Sequence, residues 1–166
     1  MNWPLGLPGL LRISSISTTD ISRRWRLLDK ERVLAKIDEL EGYLKELEQV
    51  KPAGLEDYKK IEKKRSCERL LQLLIECSID ICALLVTGLR LGLPGEEDDL
   101  FDRLEEAGII SPLMKETLRK MKAFRNILVP EYRRIDDQLV YEILQNRLDD
   151  FEAFKHEILK ATRNRN

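Results

Sequence analysis

The sequence predicts an all-α fold: an up-and-down bundle of four long helices and one short helix, preceded by an N-terminal extension. Apolar residues recur at helical spacing along most of the chain, and no segment alternates as a half-buried strand would. Only 8 Gly and 6 Pro interrupt the 166 residues, of which 36% are charged. With 43% hydrophobic residues the chain can bury one sizeable core, so we expect one domain.

Residues 1–27 differ in composition from the rest. They contain Trp3-Pro4, Leu7-Pro8-Gly9 and a Ser/Thr-rich run over 14–19, without helical periodicity. They also lack the basic start and small-residue cleavage site of a secretory signal. We expect a disordered or loosely docked extension, followed by a helical domain over 28–162 and a short tail at 163–166.

The first long helix is predicted from about Asp29 to Val50, and Pro52 and Gly54 end it. Its apolar seam alternates by four and three residues: Val33, Ile37, Leu40, Leu44 and Leu47.

A second helix is predicted from about Leu55 to Leu89. It is apolar on more than one side, which is typical of a helix at the bundle centre or in a subunit interface. Its three cysteines, Cys67, Cys77 and Cys82, match neither a zinc motif nor a redox pair, and we interpret them as small buried residues in a reducing compartment. The longest apolar run, residues 81–86, is too short to span a bilayer. We therefore expect a cytoplasmic protein that contacts no membrane.

A loop over 88–95 precedes a short helix at about Glu97 to Ala107, which ends at Gly108. Ser111 and Pro112 then supply an N-cap and a first-turn proline, and Pro130 breaks the helix that they begin. The inward side of that helix is predicted to carry Leu113, Thr117, Met121, Phe124 and Leu128.

Asp136 is predicted to cap the last helix, which runs to about Ala161. Its buried side is predicted to carry Val140, Ile143, Arg147, Phe151, Phe154 and Ile158.

The net charge of -1 gives no overall attraction to nucleic acid, so any RNA contact must come from a local patch. One candidate is a basic stripe early in the second helix, continued after residue 132; it comprises Lys63, Lys64, Arg65, Arg69 and Arg133. Two interpretations stay open: a phosphate-binding groove assembled across a dimer, or a solvated face interleaved with Glu62 and Glu68.

Polar side chains gather where a strongly helical segment meets Pro130: Arg125 and Asn126 before it, and Tyr132 after it. From spacing alone, Arg125 is a cation at a helix C-terminus that pairs with a nearby carboxylate. By the same reasoning Asn126 is a capping or surface residue, and Tyr132 is a packed ring with a solvated hydroxyl.

The Arg-Asn-x-x-x-x-Glu-Tyr segment closely resembles the signature of the HepT-like toxins of the HEPN superfamily. Matching segments flank it in the same order, at 36–40, 68–72, 79–81, 140–144 and 147–151. The resemblance implies a homodimeric helical toxin that cleaves RNA without a metal or cofactor, using the motif Arg and a His. It also implies an MntA-type minimal nucleotidyltransferase antitoxin that adenylylates the motif Tyr, here Tyr132, and no role for DNA. Because the resemblance begins at Leu28, one hypothesis is that translation starts at that residue. The mass of the native protein tests this hypothesis.

Pro130 occupies the position of the family His. Metal-free RNA cleavage needs a base for the 2′-hydroxyl proton, an acid for the leaving oxygen, and a cation for the phosphorane. Arg125 suits the last role, whereas Pro130 can transfer no proton. The sole histidine, His156, is predicted to lie on the solvent side of the last helix. Near pH 7 the carboxylate of Glu131 is too weak a base, and the phenol of Tyr132 too weak an acid, to replace the family His. We therefore expect a very poor nuclease, or alternatively a catalytically silent HEPN module that docks the nucleotidyltransferase.

Overall fold

The structure, a computed structural model, describes residues 17–130 and 134–164, and within them it contains eight helices and no strand. The all-α prediction is confirmed. In chain order the helices are α1 (Thr18–Leu27), α2 (Lys30–Val50), α3 (Leu55–Tyr58), α4 (Ile61–Gly88), α5 (Glu97–Glu106), α6 (Pro112–Leu128), α7 (Asp137–Asn146) and α8 (Asp149–Arg163).

Helix α4 is the centre of the bundle. It packs most extensively against α2, contacts α5 and α6 on other sides, and also touches α1 and α8. Its length and composition would suit a membrane span, but 61% of its apolar stretch is buried within the protein, as expected for a core helix. The three cysteines are free and buried, as predicted. Burial raises the pKa of Cys77 to about 11, so this thiol stays protonated and is a poor nucleophile.

Several helix ends lie where the sequence places them. The side chain of Asp29 accepts a hydrogen bond from Arg32 N (3.1 Å), and that of Asp136 accepts one from Gln138 N (2.9 Å). At the start of α6, Ser111 Oγ accepts from Met114 N (3.1 Å). Gly108 adopts φ 68° after α5, where its lack of a Cβ avoids strain.

The predicted second helix is in fact two helices, with a break at Lys59 and Lys60. Lys60 has extended backbone angles (φ -61°, ψ 127°) just before α4 begins. The break allows Tyr58 to be completely buried, with its hydroxyl donating to the carboxylate of Glu68 (3.4 Å). Neither glycine nor proline marks this position, so the packing of Tyr58 rather than local propensity sets the helix boundary.

The predicted last helix is also divided. The backbone leaves helical geometry at Arg147 (φ -122°, ψ 1°), and Arg147 Nε then pairs with Asp150 (3.1 Å) in the first turn of α8. Arg147 is exposed, so its predicted place on the buried side is wrong. Leu113 is likewise 77% exposed, and its neighbour Met114 points into the core instead.

The segment before Leu28 contains a helix, α1, that docks on the bundle, although the sequence shows no helical periodicity there; residues 1–16 lie outside the described part. Trp25 of α1 is completely buried, and Arg24 Nη1 donates to the carbonyl of Arg90 (2.9 Å) beyond the end of α4. Leu28 approaches Gly88 so closely that a Cβ there would lie 2.2 Å from Leu28 Cδ1. This packing is a tertiary contact across 60 residues of sequence, which explains why periodicity did not indicate α1.

Candidate functional site

The candidate site, around Arg125, lies at the end of a row of ion pairs between α5 and α6. Basic residues recur along one side of α6 and face carboxylates of α5, so the two helices are joined over most of their length. We call this row the α5–α6 ladder; its pairs are Lys115 with Glu105 (3.1 Å), Arg119 with Asp102 (2.7 Å), Lys122 with Asp98 (2.8 Å) and Arg125 with Glu97 (2.7 Å).

Arg125 forms the last pair of the ladder and has the most defined geometry. Its Nη1 and Nη2 donate to the two oxygens of Glu97, at 2.9 and 2.7 Å, so the planar guanidinium is held by a bidentate interaction. Nη2 also donates to Asn126 Oδ1 (3.1 Å). Only 16% of the Arg125 side chain is exposed. The carboxylate pairing expected from sequence is therefore present, and the structure identifies Glu97 as the partner.

The side chain of Arg125 stays protonated and positively charged. The hydrogen bonds that Arg125 donates to Glu97 raise the pKa of Arg125 above its ordinary value, against the opposing effect of burial, and the charge of Glu76 on α4 adds to the increase. The guanidinium is thus a permanent, oriented cation near the protein surface. Such a group can bind a phosphate or stabilise a developing negative charge, but it cannot exchange protons near neutral pH.

The backbone after Arg125 leads directly to Pro130. Helix α6 ends at Leu128, and Val129 N donates to the carbonyl of Arg125 (3.0 Å). Asn126 is exposed, whereas Pro130 is half-buried. The structure thus brings Arg125, Asn126 and Glu97 together at one helix end. Tyr132, the predicted modification site, lies outside the described residues, as does Arg133.

Most of the predicted basic stripe is neutralised within the chain. Lys64 pairs with Asp137 at the start of α7, Lys63 lies 3.7 Å from Asp57, and Arg65 pairs with Glu68 (3.2 Å). Glu68 is buried rather than part of a solvated face. Arg69 is exposed and has no ion pair within the described ranges 17–130 and 134–164.

Within residues 17–130 and 134–164, Lys64 of the stripe lies far from Arg125, whereas Arg69 is closer, seven positions before Glu76 on α4. Arg125 experiences the charge of Glu76, twelve positions after Lys64 on α4. At 1.5 Å per residue, these two positions are separated by about 18 Å along the helix axis. An RNA strand could reach both, but a single phosphate could not.

His156, the sole histidine of the sequence, is exposed on α8, as predicted. Among the described residues, no group of three or more His, Cys, Asp or Glu side chains is arranged to hold a metal ion. The described part of the site consists of a guanidinium held by the carboxylate of Glu97, an amide and a proline.

Comparison with known proteins identifies the scaffold. The model of the family described as "Ribonuclease HepT-like" matches residues 40–158. The chain belongs to the ribonuclease HepT-like family. The motif residues Arg125, Asn126 and Pro130 lie inside the matched region, whereas α1 lies outside it.

Named relatives agree with this assignment. The mRNA nuclease HepT of Shewanella oneidensis is 29% identical over 129 residues, covering 78% of this chain and 96% of the relative. A solved structure of a tri-AMPylated HEPN toxin from the same organism, in complex with its MNT antitoxin, has a TM-score of 0.71 and 28% identity, covering 77% of this chain and 96% of the other. YutE from Bacillus subtilis, described as a cytosolic protein of unknown function, shares the fold (TM-score 0.71, 21% identity, 83% and 93% covered). This HepT-like chain therefore has the fold and family of the HepT toxins of toxin–antitoxin systems.

Glu97 is the site residue that sequence reasoning missed. It lies 28 positions before Arg125, and no motif connects the two. A weak signal was present: basic residues recur every three or four positions in α6, and α5 is rich in carboxylates. Two neighbouring helices of complementary charge favour an ion-paired interface.

Proposed function

We propose that this HepT-like chain is the toxin of a toxin–antitoxin pair, built on an RNA-cleaving scaffold whose proton-transfer residue is missing. The observation that carries the proposal is the bidentate Arg125–Glu97 pair, which fixes a guanidinium at the end of α6 beside Pro130. The S. oneidensis relative is named an mRNA nuclease. An RNA phosphodiester is therefore the substrate class proposed for this site, and its chemistry requires neither a metal nor a cofactor.

Arg125 would contact the phosphate that is attacked. As its 2′-hydroxyl neighbour forms the new P–O bond, charge increases on the phosphate oxygens, and a guanidinium already oriented by Glu97 stabilises that charge with little reorganisation. Asn126 would act as a further polar contact on the exposed side. Pro130 leaves the attacking hydroxyl without a base and the leaving oxygen without an acid. Loss of such a group lowers the rate on the order of 10²- to 10⁴-fold.

Replacing the proline tests the proposal directly. We expect Pro130→His to raise the rate of cleavage of a labelled RNA by on the order of 10²- to 10⁴-fold over the unsubstituted chain. Pro130→Ala is the matched control, because it removes the constraint of the proline ring without adding a proton-transfer group. An unsubstituted chain that already cleaves RNA as fast as Pro130→His would refute the proposed loss of activity. Equal gains from Pro130→Ala and Pro130→His would assign the defect to backbone geometry.

A second candidate is a catalytically silent module that docks a minimal nucleotidyltransferase of the MntA type and is adenylylated on Tyr132. The tri-AMPylated state of the S. oneidensis toxin in its antitoxin complex favours this possibility. Co-expression with such a nucleotidyltransferase should give a co-purifying complex and a mass increase of one or more AMP groups, located to Tyr132 by peptide mapping. Tyr132→Phe is the control. Modification without any RNA cleavage, even by Pro130→His, would favour the silent module over the nuclease scaffold.

Homodimerisation and a cytoplasmic location complete the proposal. The apolar surface of α4 is largely covered within one chain, but Leu73 and Leu84 remain half-buried and available to a second copy. Light scattering of the purified protein tests the dimer; a monomer at micromolar concentration would contradict it.

A further inference from the structure

The region around α1 contains a basic cleft that lies away from the Arg125 site. The cleft, of about 280 Å³, is lined by Asp20, Arg23, Arg24 and Leu27 from α1 and by Gly88 and Arg90 from the end of α4. Three guanidinium groups and one carboxylate leave an excess of two positive charges. Because the family model begins at residue 40, Arg23 and Arg24 belong to a part of this chain that the family match does not include.

Arg24 gives the cleft its structure. Its Nη2 pairs with Asp20 (2.6 Å), and its Nη1 donates to the carbonyls of Leu89 (3.4 Å) and Arg90 (2.9 Å). These carbonyls follow the C-terminus of α4, where the partial negative charge of the helix would otherwise oppose an anion. Arg24 therefore holds α1 against α4 and offsets that charge.

Arg23 and Arg90 are the groups available to a ligand. Both are exposed, and neither has an ion pair with any residue in the described part of the chain. Arg90 has a positive φ of 52°, which is unusual for a residue with a side chain. Its backbone follows the close packing of Leu28 on Gly88, so both unpaired arginines are positioned by the docking of α1.

We propose that this cleft binds the phosphate backbone of an RNA strand whose scissile phosphate lies at Arg125. Two guanidinium groups are suited to phosphate oxygens, and the lining contains no aromatic ring on which a base could stack. The contact is therefore to the backbone and is independent of sequence. The separation suits an RNA strand. Ile75 of α4 and Phe124, the residue before Arg125, line one pocket. Gly88 follows Ile75 by 13 positions on α4, or about 20 Å along the helix axis. The proposal rests on the proposed function, because it assumes that RNA is the ligand of the Arg125 site.

Binding of a 2′-O-methyl RNA, which has no 2′-hydroxyl nucleophile, tests the cleft without interference from cleavage. Fluorescence anisotropy with the labelled oligonucleotide should show that R23A/R90A weakens binding about tenfold relative to the natural chain. The slope of log K against log salt should fall by about 1.4, corresponding to two lost phosphate contacts. R23K/R90K keeps both charges and should retain most of the affinity. K160A/R163A, which removes two charges from the end of α8, should bind as the natural chain does.

The outcomes separate the cleft from the proposed function. If R23A/R90A binds RNA as tightly as K160A/R163A, the cleft proposal is overturned, whereas the effect of R125A in the same assay still tests the Arg125 site. If the unsubstituted protein binds no RNA at low salt, the cleft proposal is also overturned. Adenylylation of Tyr132 then tests, independently of RNA binding, whether the chain is the catalytically silent module. Inorganic phosphate that binds the cleft without competing with RNA would identify a site for small anions and would overturn the RNA assignment.

Discussion

Arg119 and Arg125 lie six positions apart on the same helix, and both pair with a carboxylate of α5, but their surroundings differ. Arg119 divides its donors between Asp102 (2.7 Å) and Glu116 of its own helix (2.9 Å), and its side chain is 35% exposed. Arg125 directs two donors to the single carboxylate of Glu97, and its side chain is 16% exposed. An ion pair alone therefore does not distinguish a structural arginine from a site arginine. Orientation by one partner, at a helix end followed by Pro130, does.

The largest expected difference is in catalysis. In a Pro130→His background, Arg125→Ala should lower the rate of RNA cleavage on the order of 10²- to 10³-fold, because it removes the cation that stabilises the phosphorane. Arg119→Ala in the same background should change the rate by less than about threefold, since a partly exposed pair of the ladder can be replaced by water. Single-turnover cleavage of a labelled RNA measures both variants.

Equal losses from the two alanine variants would remove the distinction between the arginines. They would mean that the whole ladder, rather than Arg125, supports activity by holding α5 against α6. Far-UV circular dichroism of both variants, recorded beforehand, excludes unfolding as the common cause.

Removing the negative charge of Glu97 should have a smaller effect, which is shared between KM and kcat. Glu97 orients Arg125 but also competes with phosphate for its donors. In the Pro130→His background, Glu97→Gln should lower KM and kcat, each by roughly three- to tenfold, because the guanidinium becomes more available and less well oriented. Asp102→Asn, the matched change beside Arg119, should alter neither constant. A fall in kcat with unchanged KM would show that Glu97 positions Arg125 without competing for the phosphate.

Local signals in the sequence were sufficient to place several helix ends but not all. Capping side chains such as Ser111 and Asp136 act within a few residues, so their effect can be inferred from sequence. The break before α4 and the helix α1 depend on burial of Tyr58 and Trp25 against distant parts of the chain. Single-helix periodicity contains no information on such contacts.

The candidate site likewise has features that the sequence predicted and features that depend on tertiary contacts. The position of Arg125 at a helix end, and its pairing with a carboxylate, followed from helical spacing and the proline. The identity of Glu97 did not, because only the antiparallel packing of α5 on α6 brings these residues together. The predicted basic stripe was also less available than its sequence suggested. Tertiary partners such as Asp137 neutralise much of it.

The smallest expected difference between the two arginines is in the free energy of unfolding. Measuring it makes the comparison of their cleavage rates interpretable. Arg119→Ala and Arg125→Ala should each reduce the free energy of unfolding by only about 0.5–1 kcal/mol, the range of partly exposed ion pairs, measured by urea denaturation. Glu97 and Asp102 are 36% and 37% exposed, so water can solvate whichever carboxylate loses its partner. A loss above about 3 kcal/mol for Arg125→Ala alone would place it among buried pairs. The effect of Arg125→Ala on cleavage would then reflect a loss of folded structure. Equally small losses of stability in both variants would instead leave the orientation of the phosphate as the cause.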